Sequence, residues 1–200
     1  MLFPQFDQAF PKVELPRDME GAKSLFRQAN TQFKKALEVF ILDGYVTEHI
    51  EVLFSQSRLY RSLGMLEKSG ERKASMLEKR REMLEPLLKE LNPKAYPGTW
   101  QKILVETSEI INDLFTLRVA LLGAKGFPSE EKLKTSCELG KKSMGYYKEI
   151  VTTLVEDKDT PRNEQYFRSI INSKINIAKA SSKLMSSDRK MRVEYLKESW

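Results

Sequence analysis

The sequence predicts an all-α chain: antiparallel helix pairs stacked in order as an α-solenoid of six to seven helices. Three observations carry this expectation. Apolar residues recur at steps of three and four through six long stretches. The interruptions between stretches are short and rich in Gly, Pro, Asn and Asp. Sustained period-two alternation is absent, and Asp43-Gly44 joins two helical stripes rather than two β-branched runs. Helices of about 20–27 residues joined by short connections must run antiparallel to their neighbours. They exceed those of the ordinary tetratricopeptide unit of about 34 residues, and no clean copy of that consensus is present. Periodicity alone therefore keeps a closed bundle open as the alternative.

Residues 1–16 carry Pro4, Pro11 and Pro16 and read as an irregular lead-in to a helical-repeat domain over 17–200. Asp18 is placed to cap the first helix, whose stripe is Ala22, Leu25, Phe26, Ala29, Phe33, Ala36, Leu37 and Phe40. Asp43-Gly44 stops it, since glycine tolerates the left-handed conformation that ends helices. Thr47 is the expected cap of the second helix, with Ile50, Leu53, Phe54, Tyr60 and Leu63 on its apolar face. The stretch from Gly64 to Gly70 is either a break or a soft spot. Leu77, Leu84, Leu88 and Leu91 mark a third, highly charged helix whose Glu78, Lys79, Glu82 and Lys89 are expected in solvent. Pro86 kinks it, lacking an N–H and crowding the preceding turn, and Asn92-Pro93 ends it.

A fourth helix follows through Trp100, Ile103, Leu104, Ile110, Ile111, Leu114, Leu117 and Leu121. Residues 123–128 form the clearest loop, and Ser129 caps a fifth helix with the stripe Leu133, Cys137, Met144, Tyr147, Val151 and Leu154. Residues 157–161 turn the chain, with Pro161 suited to a first helical turn. The sixth helix runs through Phe167, Ile170, Ile171, Ile175, Ala178 and Leu184. Asp188 starts a seventh, expected to be the least stable, because about 13 residues are marginal without docking.

With 40% hydrophobic and 31% charged residues, the composition is that of a folded chain. The longest strongly apolar run, Val39-Phe40-Ile41-Leu42, is far short of the roughly 20 residues that span a bilayer. The start, Met1-Leu2-Phe3-Pro4, has neither the basic region nor the apolar region of a secretory signal. A single cysteine, Cys137, forms no internal disulfide and fits a cytosolic chain. The net charge of +6 concentrates in residues 162–200, where nine Lys/Arg face four Asp/Glu. Basic residues are not interleaved with spaced aromatics, so no nucleic-acid partner is expected.

Enzymatic readings fail on the inventory of side chains. One histidine cannot supply the two Glu-x-x-His units of a di-iron site, and with one cysteine it cannot complete a zinc set. Gly140-Lys141-Lys142-Ser143 resembles the end of a P-loop, but Thr135 stands where the leading glycine belongs and the segment lies inside a helical stripe. Cys137 lies on an apolar stripe, where cysteine is a small core residue rather than a nucleophile. No cofactor and no metal are expected, and the expectation is a non-enzyme.

The only histidine, His49, falls in Asp43-Gly44-Tyr45-Val46-Thr47-Glu48-His49-Ile50-Glu51, at the joint between the first two helices. Side chains and free N–H groups at a helix start project outward, and tyrosine offers the amphipathic area that interfaces favour. The plainer reading is a solvent-facing or locally hydrogen-bonded His49, with Tyr45 packed over the joint. Three segments resemble one known family: residues 40–52, residues 79–87 followed by Leu91-Asn92-Pro93, and residues 113–120. The family is that of kinesin-binding proteins (KIF-binding protein), and the similarity is to its C-terminal half, from about Glu14 to Trp200.

The resemblance implies a right-handed tetratricopeptide-like solenoid without catalytic activity or cofactor. It implies binding to kinesin motor domains on the microtubule-facing side, keeping the motor off its track in the cytoplasm. Effects on microtubule organisation, axon growth and transport of organelles, including mitochondria, would follow. It places motor contacts at Tyr45, Thr47, Glu48 and His49, with Asp43 and Gly44 shaping the joint. The family's N-terminal half and last helices have no counterpart here, so a fragment or a short member is expected. A generic helical-repeat adaptor for peptide tails, unrelated to motors, is the competing expectation.

Overall fold

The computed structural model describes residues 16, 18–124, 130–156, 161–184, 190, 193, 194 and 197. Among them the chain is all-α, without a strand. The helices are α1 (Met19–Val39), α2 (Val46–Leu66), α3 (Gly70–Leu84), the single-turn α4 (Leu87–Glu90), α5 (Pro97–Ala124), α6 (Glu130–Glu156) and α7 (Glu164–Lys183). The chain divides into two compact units, Met1–Val52 and Leu53–Trp200.

In the first unit, α1 starts where Asp18 accepts the Gly21 N–H at 2.7 Å, as the sequence predicts. It ends earlier than expected. Phe40 is the C-cap, giving its N–H to Ala36 O at 2.8 Å, and Asp43-Gly44 forms the turn beyond. Of the α1 stripe only Ala22 is fully buried.

The second unit stacks its helices in sequence order. α5 packs between α3 and α6, α6 between α5 and α7, and α4 lies against α5. Such neighbours joined by short connections run antiparallel. One apolar cluster gathers Ala74, Ile111, Leu114, Phe115, Leu139, Met144, Ala180 and Leu184 from four helices. A second joins Leu104, Tyr147, Ile150, Leu154 and Tyr166. Cys137 packs half-buried against the first, as a core cysteine should.

The stretch between Gly64 and Gly70 is a true break: α2 stops at Leu66, and the Ser69 hydroxyl caps α3 by accepting the Arg72 N–H. Pro86 separates α3 from α4, and the segment is pinned from both sides. Glu85 takes Tyr146 OH at 3.0 Å and Lys142 Nζ at 2.5 Å, while the Trp100 indole N–H donates to Leu88 O at 3.2 Å. Lys79, Glu82 and Lys89 are exposed, but Glu78 is half-buried. It pairs with Arg81 at 2.6 Å and sits 3.6 Å from Arg118, so the α3 face thought solvated is partly an interhelix face.

Two further expectations need correction. α7 is capped by the Asn163 side chain, so Pro161 precedes the helix rather than opening it. Of the expected stripe, Leu184 at the C-cap is buried and Ile170 and Ala178 are half-buried, but Phe167, Ile171 and Ile175 are exposed, and α7 turns Tyr166, Ser173 and Ala180 inward instead. Small residues, Ser173, Ala180 and Ser181, make up much of that inner face, which apolar counting alone misses. The proposed Ser129 cap and the turn at 157–160 lie outside the described residues, as do nearly all of the lead-in and most of the expected seventh helix.

Candidate functional site

The joint between α1 and α2 lies wholly within the first unit. Beyond Phe40 the backbone closes through Ile41 N–H to Val39 O, Gly44 N–H to Leu42 O and Tyr45 N–H to Ile41 O, each at 3.1 Å. Gly44 makes this possible with φ of 128°, a conformation closed to other residues by their own backbone rather than by neighbours, since no atom lies within 4 Å of where a Cβ would stand. α2 then begins when Tyr45 O accepts the His49 N–H at 2.8 Å. Tyr45 is thus the N-cap residue and Thr47 the second residue of the helix, so Thr47 is not the cap the sequence suggests.

His49 is the half-buried tie of the joint: its Nδ1 lies 2.7 Å from Phe40 O. A carbonyl oxygen only accepts, so Nδ1 carries the proton. The bond satisfies a carbonyl at the end of α1 that the helix itself leaves open. It fixes the ring, and in the neutral imidazole it leaves Nε2 as an acceptor. The Phe40 and Tyr45 rings meet edge to face, 5.7 Å apart at 77°.

Asp43, Gly44, Tyr45, Thr47 and Glu48 are all exposed. The structure therefore brings the six candidates onto one short turn, five at the surface and His49 beneath as a brace. Glu48 sits in the first turn of α2, where negative charge suits the helix dipole. Two participants escape the sequence reading. Val39 is 64% exposed and Ile41 51%, extending an apolar surface from Tyr45. Their signal was present in the run Val39-Phe40-Ile41-Leu42, four apolar residues where a helical stripe accounts for one or two. The carbonyl of Phe40, as a backbone group, leaves no trace in residue type.

Among the described residues no group of three or more His, Cys, Asp or Glu is placed to hold a metal ion, and no described helix is long and apolar enough to cross a membrane. What the turn offers is a small exposed surface: an aromatic ring, two aliphatic side chains and the acids Asp43 and Glu48.

The chain matches, over residues 9–200, the protein family described as "KIF-1 binding protein C terminal". It is similar to the protein named "KIF-binding protein" of Xenopus tropicalis, 30% identical over 203 residues that cover 99% of this chain and 33% of that protein. The protein of the same name from Rattus norvegicus is 32% identical over 184 residues, 90% of this chain and 30% of that protein. That of Dictyostelium discoideum is 28% identical over 195 residues, 92% and 30% of the two. The chain thus spans about a third of the length of the curated relatives it matches. No solved structure matches it.

Proposed function

The chain belongs to the KIF-1 binding protein family through its C-terminal part, and from that premise we propose that it is a non-enzymatic adaptor of kinesins. In this reading it occupies the motor domain and hinders its attachment to microtubules. The consequences are those of fewer engaged motors: altered microtubule organisation and altered axonal and organelle transport, by a protein of the cytoplasm associated with the cytoskeleton. The Asp43–Glu51 joint is one of its contacts.

The observation that best supports the site is Tyr45, held half-exposed by its edge-to-face contact with Phe40 at 5.7 Å and ringed by exposed Asp43, Thr47 and Glu48. A ring whose rotamer is fixed before binding loses little entropy on contact, which is what an interface anchor requires.

The test is the triple variant Tyr45→Ala, Thr47→Ala, His49→Ala against the double variant Tyr45→Ala, Thr47→Ala. The double variant leaves the His49–Phe40 brace in place. It should retain helicity and weaken motor binding by about 1–2 kcal/mol, with the triple at about 1–3 kcal/mol. A folded double variant that binds a kinesin motor domain, and releases microtubules from it, as well as the parent does would remove the joint from the interface.

A further inference from the structure

A second surface stands apart from the joint. Between the C-terminal half of α2, α3 and α5 runs a groove of about 510 Å³. Met65, Met76, Leu77 and Leu117 give it an apolar lining, and Met65 stands 77% exposed. Methionine lines surfaces that adapt to apolar side chains of varied shape.

Gly64 lies at this groove inside α2, where glycine is less favourable than alanine. Packing does not demand it: a Cβ there would lie 3.6 Å from Met76 Sδ, an ordinary contact. Its φ is unexceptional. Its effect is to keep the groove open over Met76.

The charges lining the groove are mostly positive. Arg61 and Lys73 line it, and neither has an ion-pair partner among the described residues. Lys183 joins them by bonding Thr116 of the lining at 3.1 Å. Arg80, also in the lining, is already engaged by Glu106 at 2.6 Å. Among the described residues Asp113 is the acid of the lining, and Glu109 lies within electrostatic reach of Arg61. The larger groove between α3, α5 and α6, about 700 Å³, is lined by Glu71, Glu78 and Glu131 against Lys79, Arg118 and Lys132, and selects no sign.

We propose that the α2–α3–α5 groove docks an acidic amphipathic helix of a partner protein, its apolar stripe on Met65, Met76 and Leu117 and its carboxylates at Arg61 and Lys73. An apolar stripe at helical spacing is what such a groove reads. The unpaired cations decide which helices enter, by excluding basic ones. This goes beyond the kinesin reading, since it needs none of the joint residues.

The experiment uses the full chain and a fluorescein-labelled model peptide of about five helical turns, with leucine at its a and d positions and glutamate and alanine elsewhere. A twin has lysine for every glutamate. Fluorescence anisotropy should show saturable binding of the acidic peptide, with the lysine twin weaker by about tenfold or more. Gly64→Leu, which raises helix propensity while placing a side chain over Met76, should abolish that binding with unchanged helicity. Arg61→Glu with Lys73→Glu should reverse the preference between the peptides. The Tyr45→Ala, Thr47→Ala variant should bind the acidic peptide like the parent. Equal binding of both peptides, unaltered by the charge reversal, would reduce the groove to a nonspecific apolar surface and overturn the proposal. So would absence of saturable binding, or a dimer in sedimentation that Gly64→Leu dissolves, which would assign the groove to a second copy of the chain.

Discussion

His49 and Thr47 are two positions apart and differ in what they hold. The imidazole reaches back to Phe40 O at 2.7 Å, whereas the Thr47 side chain stands exposed in a helix that Tyr45 begins. His49→Ala should therefore lower stability by about 1 kcal/mol, the worth of one partly buried hydrogen bond. Thr47→Ala should stay within about 0.5 kcal/mol, as surface changes away from caps do. Urea denaturation of both variants distinguishes the two, and a larger loss at Thr47 would restore it as a cap. Glu67 is the other residue whose environment sets its behaviour. Its carboxylate accepts the N–H groups of Ser69 at 3.0 Å and Lys68 at 2.9 Å and lies 3.6 Å from Arg72. The Ser69 bond is the largest influence and, with the Lys68 bond and Arg72, holds its pKa below the ordinary 4.5, against burial, which opposes more strongly than Lys68 or Arg72 alone. A carboxyl depressed in the folded state contributes stability above its unfolded pKa and loses it as pH falls through the folded value. Stability should thus fall on acidification below pH 4.5, and Glu67→Gln should flatten that part of the profile.

At the scale of the element, α3 and α6 each depend on one residue that sequence reading undervalues. Arg80 is buried at 5% exposure, its Nη2 2.6 Å from Glu106 and its Nε 3.1 Å from Ser57, a residue with no exposed surface. One guanidinium thereby ties α2, α3 and α5 together. Arg80→Ala should cost roughly 3 kcal/mol, since Glu106 is left unpaired and a buried space opens. Arg80→Met combined with Glu106→Gln should recover most of that loss in thermal unfolding. Gly140 has the opposite character. A Cβ there would lie 2.9 Å from Leu184 Cδ2 and 2.9 Å from Phe115 Cζ, both buried and without room to retreat. The helix propensity gained by Gly140→Ala, about 1 kcal/mol, is outweighed by overpacking, and a net destabilisation of about 1–2 kcal/mol is expected. The glycine that resembles part of a phosphate loop in the sequence is a notch for an aromatic ring.

For the whole molecule, the distribution of burial predicts a gradient of local stability. α1 buries only Ala22, whereas α5 buries eight residues, among them Ile103, Leu104, Ile111, Leu114 and Phe115 at no exposure. Regions with few buried apolar contacts open at lower free energy than the global transition. Amide exchange should accordingly be fastest in α1 and slowest in the middle of α5. Protection of α1 equal to that of α5 would show that the first unit opens only with the second.

The sequence by itself determined that this chain is helical, where most helices lie, that it holds no apolar run of the length that spans a bilayer, and which family it belongs to. These follow from local properties: a 3.6-residue period, the punctuation of Gly, Pro and Asn, and an unusual stretch at residues 43–51. It also determined which residues form the joint, because neighbours in a tight turn are neighbours in sequence. The tertiary structure decided what depends on a partner distant along the chain. The inward face of α7 combines Tyr166 with the small residues Ser173, Ala180 and Ser181, while Phe167, Ile171 and Ile175 stayed outside. Glu78 is half-buried rather than solvated because Arg118 comes from another helix. His49 became a brace because its acceptor is a backbone carbonyl nine residues earlier, and every residue type carries the same carbonyl.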